Sequence, residues 1–130
     1  MTQRHIGWLF RGAAIYGLII LLPMYFLERS VAAPSPSFEH PEYYYGFVGA
    51  AVTWQFVYWV IGGAPQRYRA LMPVAVIAKL GFWVPTFLLW LNGRTPLSTF
   101  ILTNGDLILG IAFFVAWRSL RRTDSVGAGA

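Results

Sequence analysis

Cysteine is absent from this 130-residue chain. That excludes disulfides, thiolate metal sites and iron–sulfur clusters, and it leaves the redox compartment undetermined. Charge is scarce too. Lys, Arg, Asp and Glu make up 12% of the residues, about half of the roughly 25% usual in soluble chains. Acidic residues number five against ten basic ones, for a net charge of +5. Histidine occurs only as His5 and His40. The chain also lacks a nucleotide-binding glycine loop, a zinc-binding helix motif and any Ser–His–Asp constellation. No stretch of about ten residues alternates apolar and polar as a barrel strand would.

What is abundant is apolar surface: 57% of the residues are hydrophobic and 18% aromatic. A water-soluble domain of this size buries too small a fraction of its surface to hide that much. Soluble enzyme, nucleic-acid binder and disordered tail are therefore all disfavoured. The basic residues flank apolar runs instead of forming one patch, which argues for a lipid bilayer and against nucleic acid as the partner. The expected class is a single membrane domain over residues 1–130.

Four apolar runs are expected to be helices: about Ile6–Leu27, Tyr43–Gly62, Leu71–Leu91 and Ser98–Trp117, followed by a tail over 118–130. Helices are required because lipid cannot satisfy open backbone groups. The first run carries Arg11, which leaves an uncharged stretch, Gly12–Leu27, short of the ~20 residues needed to span. Arg11 is therefore expected to snorkel to the headgroups with its stem along its own helix. A cleaved signal peptide is the competing account, with Ser30-Val31-Ala32-Ala33 as the cut site. Pro34 directly after the scissile bond argues for a retained helix.

Seven arginines (Arg4, Arg11, Arg67, Arg69, Arg118, Arg121, Arg122) fall on one side of the runs and two (Arg29, Arg94) on the other. The excess places both termini and the Gly63–Ala70 loop in the cytoplasm. Aromatic residues follow the same frame, with Trp8, Trp59, Tyr68 and Trp117 near the inner interface and Tyr25, Tyr43, Tyr44 and Trp90 near the outer. His5 and His40 then lie at opposite faces, which excludes a bis-histidine haem or a chlorophyll held by an intramembrane histidine.

Short connections imply an all-α, up-down-up-down four-helix bundle. The outward loop Glu28–Glu42 is expected to be extended at Pro34–Ser37 before Phe38 packs on the membrane surface. The tail Ser125–Ala130 is expected to be mobile. Gly46, Gly49, Ala50 and Thr53 keep one stripe of the second span small enough for a close backbone approach. Pro23 and Pro85 are expected to kink their helices.

Function should reside in the polar residues inside the spans. At 1.5 Å per residue, Gln55 lies ~10 Å above the inner edge, Lys79 ~12 Å, Tyr16 ~12–15 Å and Asp106 ~16 Å. Tyr16, Gln55, Lys79 and Asp106 thus share one layer. Charge at that depth is costly unless paired, so Lys79 and Asp106 are expected to turn toward each other. One reading is a structural pair that fixes register. The other is a polar pocket for a head group, a quinone or a proton. Asn104, two residues from Asp106, points elsewhere, toward the third span or a partner. Glu39, His40 and Glu42 are read as a solvated loop, so no metal site is assigned.

The run Tyr43-Tyr44-Tyr45-Gly46-Phe47, with Trp54-Gln55, Ile61-Gly62, Pro65–Met72, Lys79-Leu80, Gly93-Arg94 and Asp106, resembles small bacterial four-helix membrane proteins loosely grouped as DoxX-like. The resemblance covers about Tyr43–Trp117 and implies a four-helix membrane fold. In the family pattern an acidic residue precedes both Pro65 and Lys79, whereas here Ala64 and Ala78 stand there. That departure argues against an inherited acid–base role, and no catalytic residue is assigned. DoxX-like proteins include a small subunit of a terminal quinol oxidase. The leading expectation is accordingly an accessory or packing subunit of a larger respiratory or photosynthetic membrane complex, in the bacterial inner membrane. The alternatives are a stand-alone binder of a lipid, quinone or other small hydrophobic molecule, and a small enzyme using Asp106 and Lys79 as acid and base.

Overall fold

In a computed structural model the chain is described over residues 1–32 and 40–127, and no strand occurs among the described residues. Five α-helices carry the fold: α1 (Gln3–Met24), α2 (Glu28–Ala32), α3 (Pro41–Gly63), α4 (Met72–Leu91) and α5 (Leu97–Gly127). A 3-10 turn, Arg69–Leu71, leads into α4. Among the described residues four segments are long and apolar enough to cross a membrane: Gln3–Met24, Pro41–Gly63, Arg69–Leu91 and Leu97–Arg121.

Local chemistry accounts for the helix ends. Thr2 caps α1 by accepting the His5 backbone N–H, which starts the helix three residues before the expected Ile6. Pro23 sits in the last turn of α1. Beyond it the Tyr25 and Phe26 N–H groups bond back only three residues, to Leu22 and Pro23. The helix expected to run to Leu27 therefore stops at Met24. At α4, Asn92 is the cap and Gly93 adopts φ +67°, while the Gly93 and Arg94 N–H groups donate to the Trp90 and Leu89 carbonyls. This is a Schellman closure, and it needs a residue without a Cβ at position 93.

Two expectations about the connections are corrected. The segment expected to be an irregular loop from Glu28 contains the one-turn α2, tied to α3 by the Tyr45 hydroxyl donating to Glu28 at 2.9 Å. The segment read as a tail from residue 118 continues α5 to Gly127. Phe113, Ala116 and Leu120 keep a helical spacing of core contacts past Trp117, which holds the first of the added turns against the bundle. The loop expectations at Pro34–Ser37, Phe38 and Glu39, and the last residues of the tail, 128–130, lie outside the described residues.

The long helices form two antiparallel hairpins. In the first, α1 packs along α3, with Gly7 meeting Gly62, Gly17 meeting Gln55, and Tyr25 meeting Gly49. In the second, α4 packs along α5, with Lys79 meeting Gly110 and Trp90 stacked on Phe100 at 4.4 Å. The short α3–α4 connection was expected to make those two helices close neighbours. They touch only sparsely, as at Phe47 and Phe82. The hairpins are joined chiefly by an aromatic core, in which Phe10 stacks on Phe113 at 4.1 Å and Tyr58 lies 5.1 Å from Phe113. Most buried apolar residues (Ile6, Phe10, Ala14, Ile61, Met72, Ala75, Ala116, Leu120) gather where α1 and α4 begin and α3 ends.

The small-residue stripe expected on α3 splits. Gly49 faces the Tyr25 hydroxyl of α1, whereas Gly46, Ala50 and Thr53 are exposed, and nothing lies within 4 Å of a methyl built on Gly46. The close helix approach is made elsewhere. A methyl on Gly7 would sit 2.8 Å from the Gly62 carbonyl oxygen, and one on Gly62 would sit 2.8 Å from the Gly7 oxygen. Each glycine thus presents its bare Cα to the other's carbonyl, an approach that a side chain at either position would block.

Candidate functional site

The polar layer lies halfway along the helices. On α4, Lys79 Nζ donates to Asp106 Oδ1 of α5 at 2.6 Å, with the two side chains 12% and 22% exposed. The Lys79 ammonium also lies 5.4 Å from the ring centre of buried Tyr58 on α3. A carboxylate on one side and an aromatic face on another satisfy this cation without bulk water. Gly110 faces the lysine stem, and a methyl there would lie 3.4 Å from Lys79 Cβ, in ordinary van der Waals contact.

The other two expected members stand at the same level without joining the pair. Tyr16 on α1 is half exposed, and its hydroxyl lies 3.4 Å from where a methyl on Gly105 would be, one residue before Asp106. Gln55 is buried but turns toward α1. Its Nε2 donates to the Ala51 carbonyl at 2.8 Å, and its Oε1 is packed against Gly17 with no hydrogen-bond partner. The level is therefore common to four helices, while the contact belongs to Lys79, Asp106 and Tyr58.

Two participants escape a reading of the sequence. Tyr58 is one helical turn beyond Gln55, a spacing that places both on one face of α3. It stands next to Trp59 and resembles the interfacial aromatics around it, so only its spacing from Gln55 marks it out. Trp83, one turn after Lys79, donates its Nε1–H to Asn104 Oδ1 at 3.1 Å. Asn104 is thereby directed at α4, and a second polar link joins the same two helices.

Arg11 departs from its expected course. Its stem crosses onto α3, where a methyl on Gly62 would lie 2.7 Å from Arg11 Cγ, and its guanidinium lies 5.5 Å from the Trp59 ring centre. His40 and Glu42 form an exposed pair at 2.9 Å, and Glu39 lies outside the described residues.

Chemically, the Lys79–Asp106 pair cancels its own charge and pins α4 against α5 at one register. Its partial exposure leaves one side open to a polar group from outside the hairpin. No family model matches the chain, and no curated protein or solved structure matches it either.

Proposed function

We propose that the chain is a multi-pass protein of a bacterial cytoplasmic membrane, with both termini inside, serving as an accessory subunit that packs against larger membrane proteins. The membrane assignment rests on the four long apolar helices and on the outward display of large side chains such as Ile19, Ile77, Leu102 and Ile108. Sidedness rests on the seven-to-two arginine imbalance. The resemblance to DoxX-like proteins supplies a fold for this reading and leaves the partner open.

The observation that carries the accessory role is the outward face of α3. Gly46, Ala50 and Thr53 occur at helical spacing and are exposed, and nothing lies within 4 Å of a methyl built on Gly46. In lipid there is little hydrophobic gain from burying one apolar side chain on another, and small residues matter because they let a second helix approach. The described chain offers little outside its spans with which to act, so lateral packing is the main surface it presents. In this reading Lys79–Asp106 holds the hairpin rigid while that face is engaged.

A second reading keeps the polar layer as a binding site for a quinone or a lipid head group. The half-exposed Tyr16 hydroxyl favours it, because it offers a hydrogen-bonding atom near mid-helix beside Asp106.

Mild detergent extraction followed by native sizing separates the two. The accessory reading predicts an assembly well above 14.6 kDa that Ala50→Trp dissolves and Ile77→Trp leaves intact. A lone chain carrying a stoichiometric small-molecule adduct, unaffected by Ala50→Trp, would contradict it and favour the second reading.

A further inference from the structure

Arg11 carries a charge into an apolar stretch of α1, and among the described residues it makes no hydrogen bond and no ion pair. Lys79, by contrast, has Asp106. A cation inside an apolar helix is costly unless it is paired or hydrated. The Arg11 Nε is buried without a partner, so an anion has to be met by the terminal nitrogens of the fork.

The side chain is held and aimed by the last turn of α3. A methyl on Gly62 would lie 2.7 Å from Arg11 Cγ, and one on Gly63 would lie 3.8 Å from Arg11 Nη2. The guanidinium carbon lies 5.5 Å from the Trp59 ring centre. Contact over an aromatic ring uses the face of a guanidinium, leaving its in-plane N–H groups as donors in the fork that matches phosphate oxygens. The carbonyls that end α3 are the structural alternative for such a cation, and Arg11 donates to none of them.

The surroundings are apolar and face outward. Trp8, Arg11, Ile15 and Ile19 follow one another at helical spacing along one face of α1, and Trp8, Ile15, Ile19 and Trp59 are all exposed. A planar cation thus stands at the level of two indoles, with apolar side chains leading away from it along the helix. That arrangement suits an anion at the end of an apolar chain and offers nothing further to a soluble one.

We infer that Arg11 holds the phosphate of an anionic phospholipid, with Trp8 and Trp59 beside the headgroup and an acyl chain along Ile15 and Ile19. A headgroup without an ammonium is favoured because Arg11 has no carboxylate beside it to answer a second cation. The inference rests on the membrane reading, which sets this end of the bundle at headgroup level. It leaves the outward face of α3 at Gly46, Ala50 and Thr53 to the partner.

The test compares three full-length proteins: wild type, Arg11→Gln and, as a control, Arg118→Gln. Arg118 lies at the same end of the bundle and 5.9 Å from the Phe114 ring centre, but it is exposed. Each protein is reconstituted into vesicles of phosphatidylcholine and phosphatidylglycerol. Co-flotation reports insertion, and thermal melting in detergent reports folding. Native mass spectrometry of the released protein reads the retained lipid. Wild type and Arg118→Gln should retain phosphatidylglycerol over phosphatidylcholine, and Arg11→Gln should retain it about tenfold more weakly, as expected for one lost charge-assisted hydrogen bond. If Arg11→Gln does not fold, Arg11→Lys replaces it. That variant keeps the stem and the charge without the fork, and it should show a loss of the same sign. Equal retention by wild type and the Arg11 variant, or an equal loss in Arg118→Gln, would overturn the inference by reducing it to diffuse surface charge. Retention of the two lipids in their vesicle proportion would overturn it as well. So would a wild type that keeps no lipid but forms an assembly that Arg11→Gln dissolves, since a partner's carboxylate would then hold the cation. Failure of wild type to float would instead contradict the membrane reading.

Discussion

Gly62→Ala is expected to destabilise the protein by about 1–3 kcal/mol, the usual cost of overpacking a tight site. An alanine normally stabilises a helix relative to glycine by about 0.5–1 kcal/mol, so the direction of the effect decides the case. The added methyl would lie 2.8 Å from the Gly7 carbonyl oxygen and 2.7 Å from Arg11 Cγ. The arginine stem can swing aside. The carbonyl belongs to the α1 backbone and cannot move without separating the helices. Gly7→Ala should behave in the same way, since its methyl meets the Gly62 oxygen at 2.8 Å. Gly46→Ala and Gly81→Ala meet nothing within 4 Å and should be neutral or slightly stabilising. Thermal melting of the four variants in one detergent checks the set. Equal melting of Gly62→Ala and Gly46→Ala would show that α1 and α3 do not approach at Gly7 and Gly62.

Breaking the Lys79–Asp106 pair should cost about 3 kcal/mol, the low end of the range for a buried pair because both side chains keep some exposure. Lys79→Met leaves the Asp106 carboxylate without its cation. Asp106→Leu leaves the ammonium with only the Tyr58 ring. The double variant removes both charges and should recover most of the loss. Folded yield and melting temperature of the two singles and the double measure the coupling. Singles as stable as wild type would mean that the charges do not meet. A stable double variant that keeps its assembly assigns the pair to structure. One that loses a bound ligand would move the polar layer to the second reading.

The helical class and the four long apolar helices were legible because they depend on composition and run length, which the chain carries in excess. Helix ends were less legible. Thr2 and Pro23 set the limits of α1 by single hydrogen bonds and one missing donor, features with little weight in an apolar window. The extension of α5 depended on Leu120 finding the core, a tertiary contact that an arginine-rich segment conceals.

Within the candidate site, Lys79 and Asp106 stood out because charge in an apolar run is rare. Their contact joins a common depth to the cost of leaving either charge unpaired among apolar side chains. Gln55 and Tyr16 were set at the same depth, but rise along a helix carries no information on azimuth. Azimuth is what turns Gln55 toward Gly17 and leaves Tyr16 at the rim beside Gly105. The small residues of α3 show the same limitation. Gly46, Gly49, Ala50 and Thr53 looked equivalent, yet only Gly49 meets the other side of the first hairpin, at Tyr25, while the close approach to α1 falls at Gly62, outside that stripe.

The central claim is that four helices cross a bilayer with both termini in the cytoplasm. Because the chain has no cysteine, a single introduced thiol can be followed without background. Gln66→Cys, in the α3–α4 connection, and Thr95→Cys, in the α4–α5 turn, test the claim most directly in intact cells exposed to a membrane-impermeant maleimide. Thr95→Cys should label at once, and Gln66→Cys only after the cells are opened. Labelling of both or neither in intact cells, or the reverse pattern, would contradict the crossing of α4 or the sidedness drawn from the arginines.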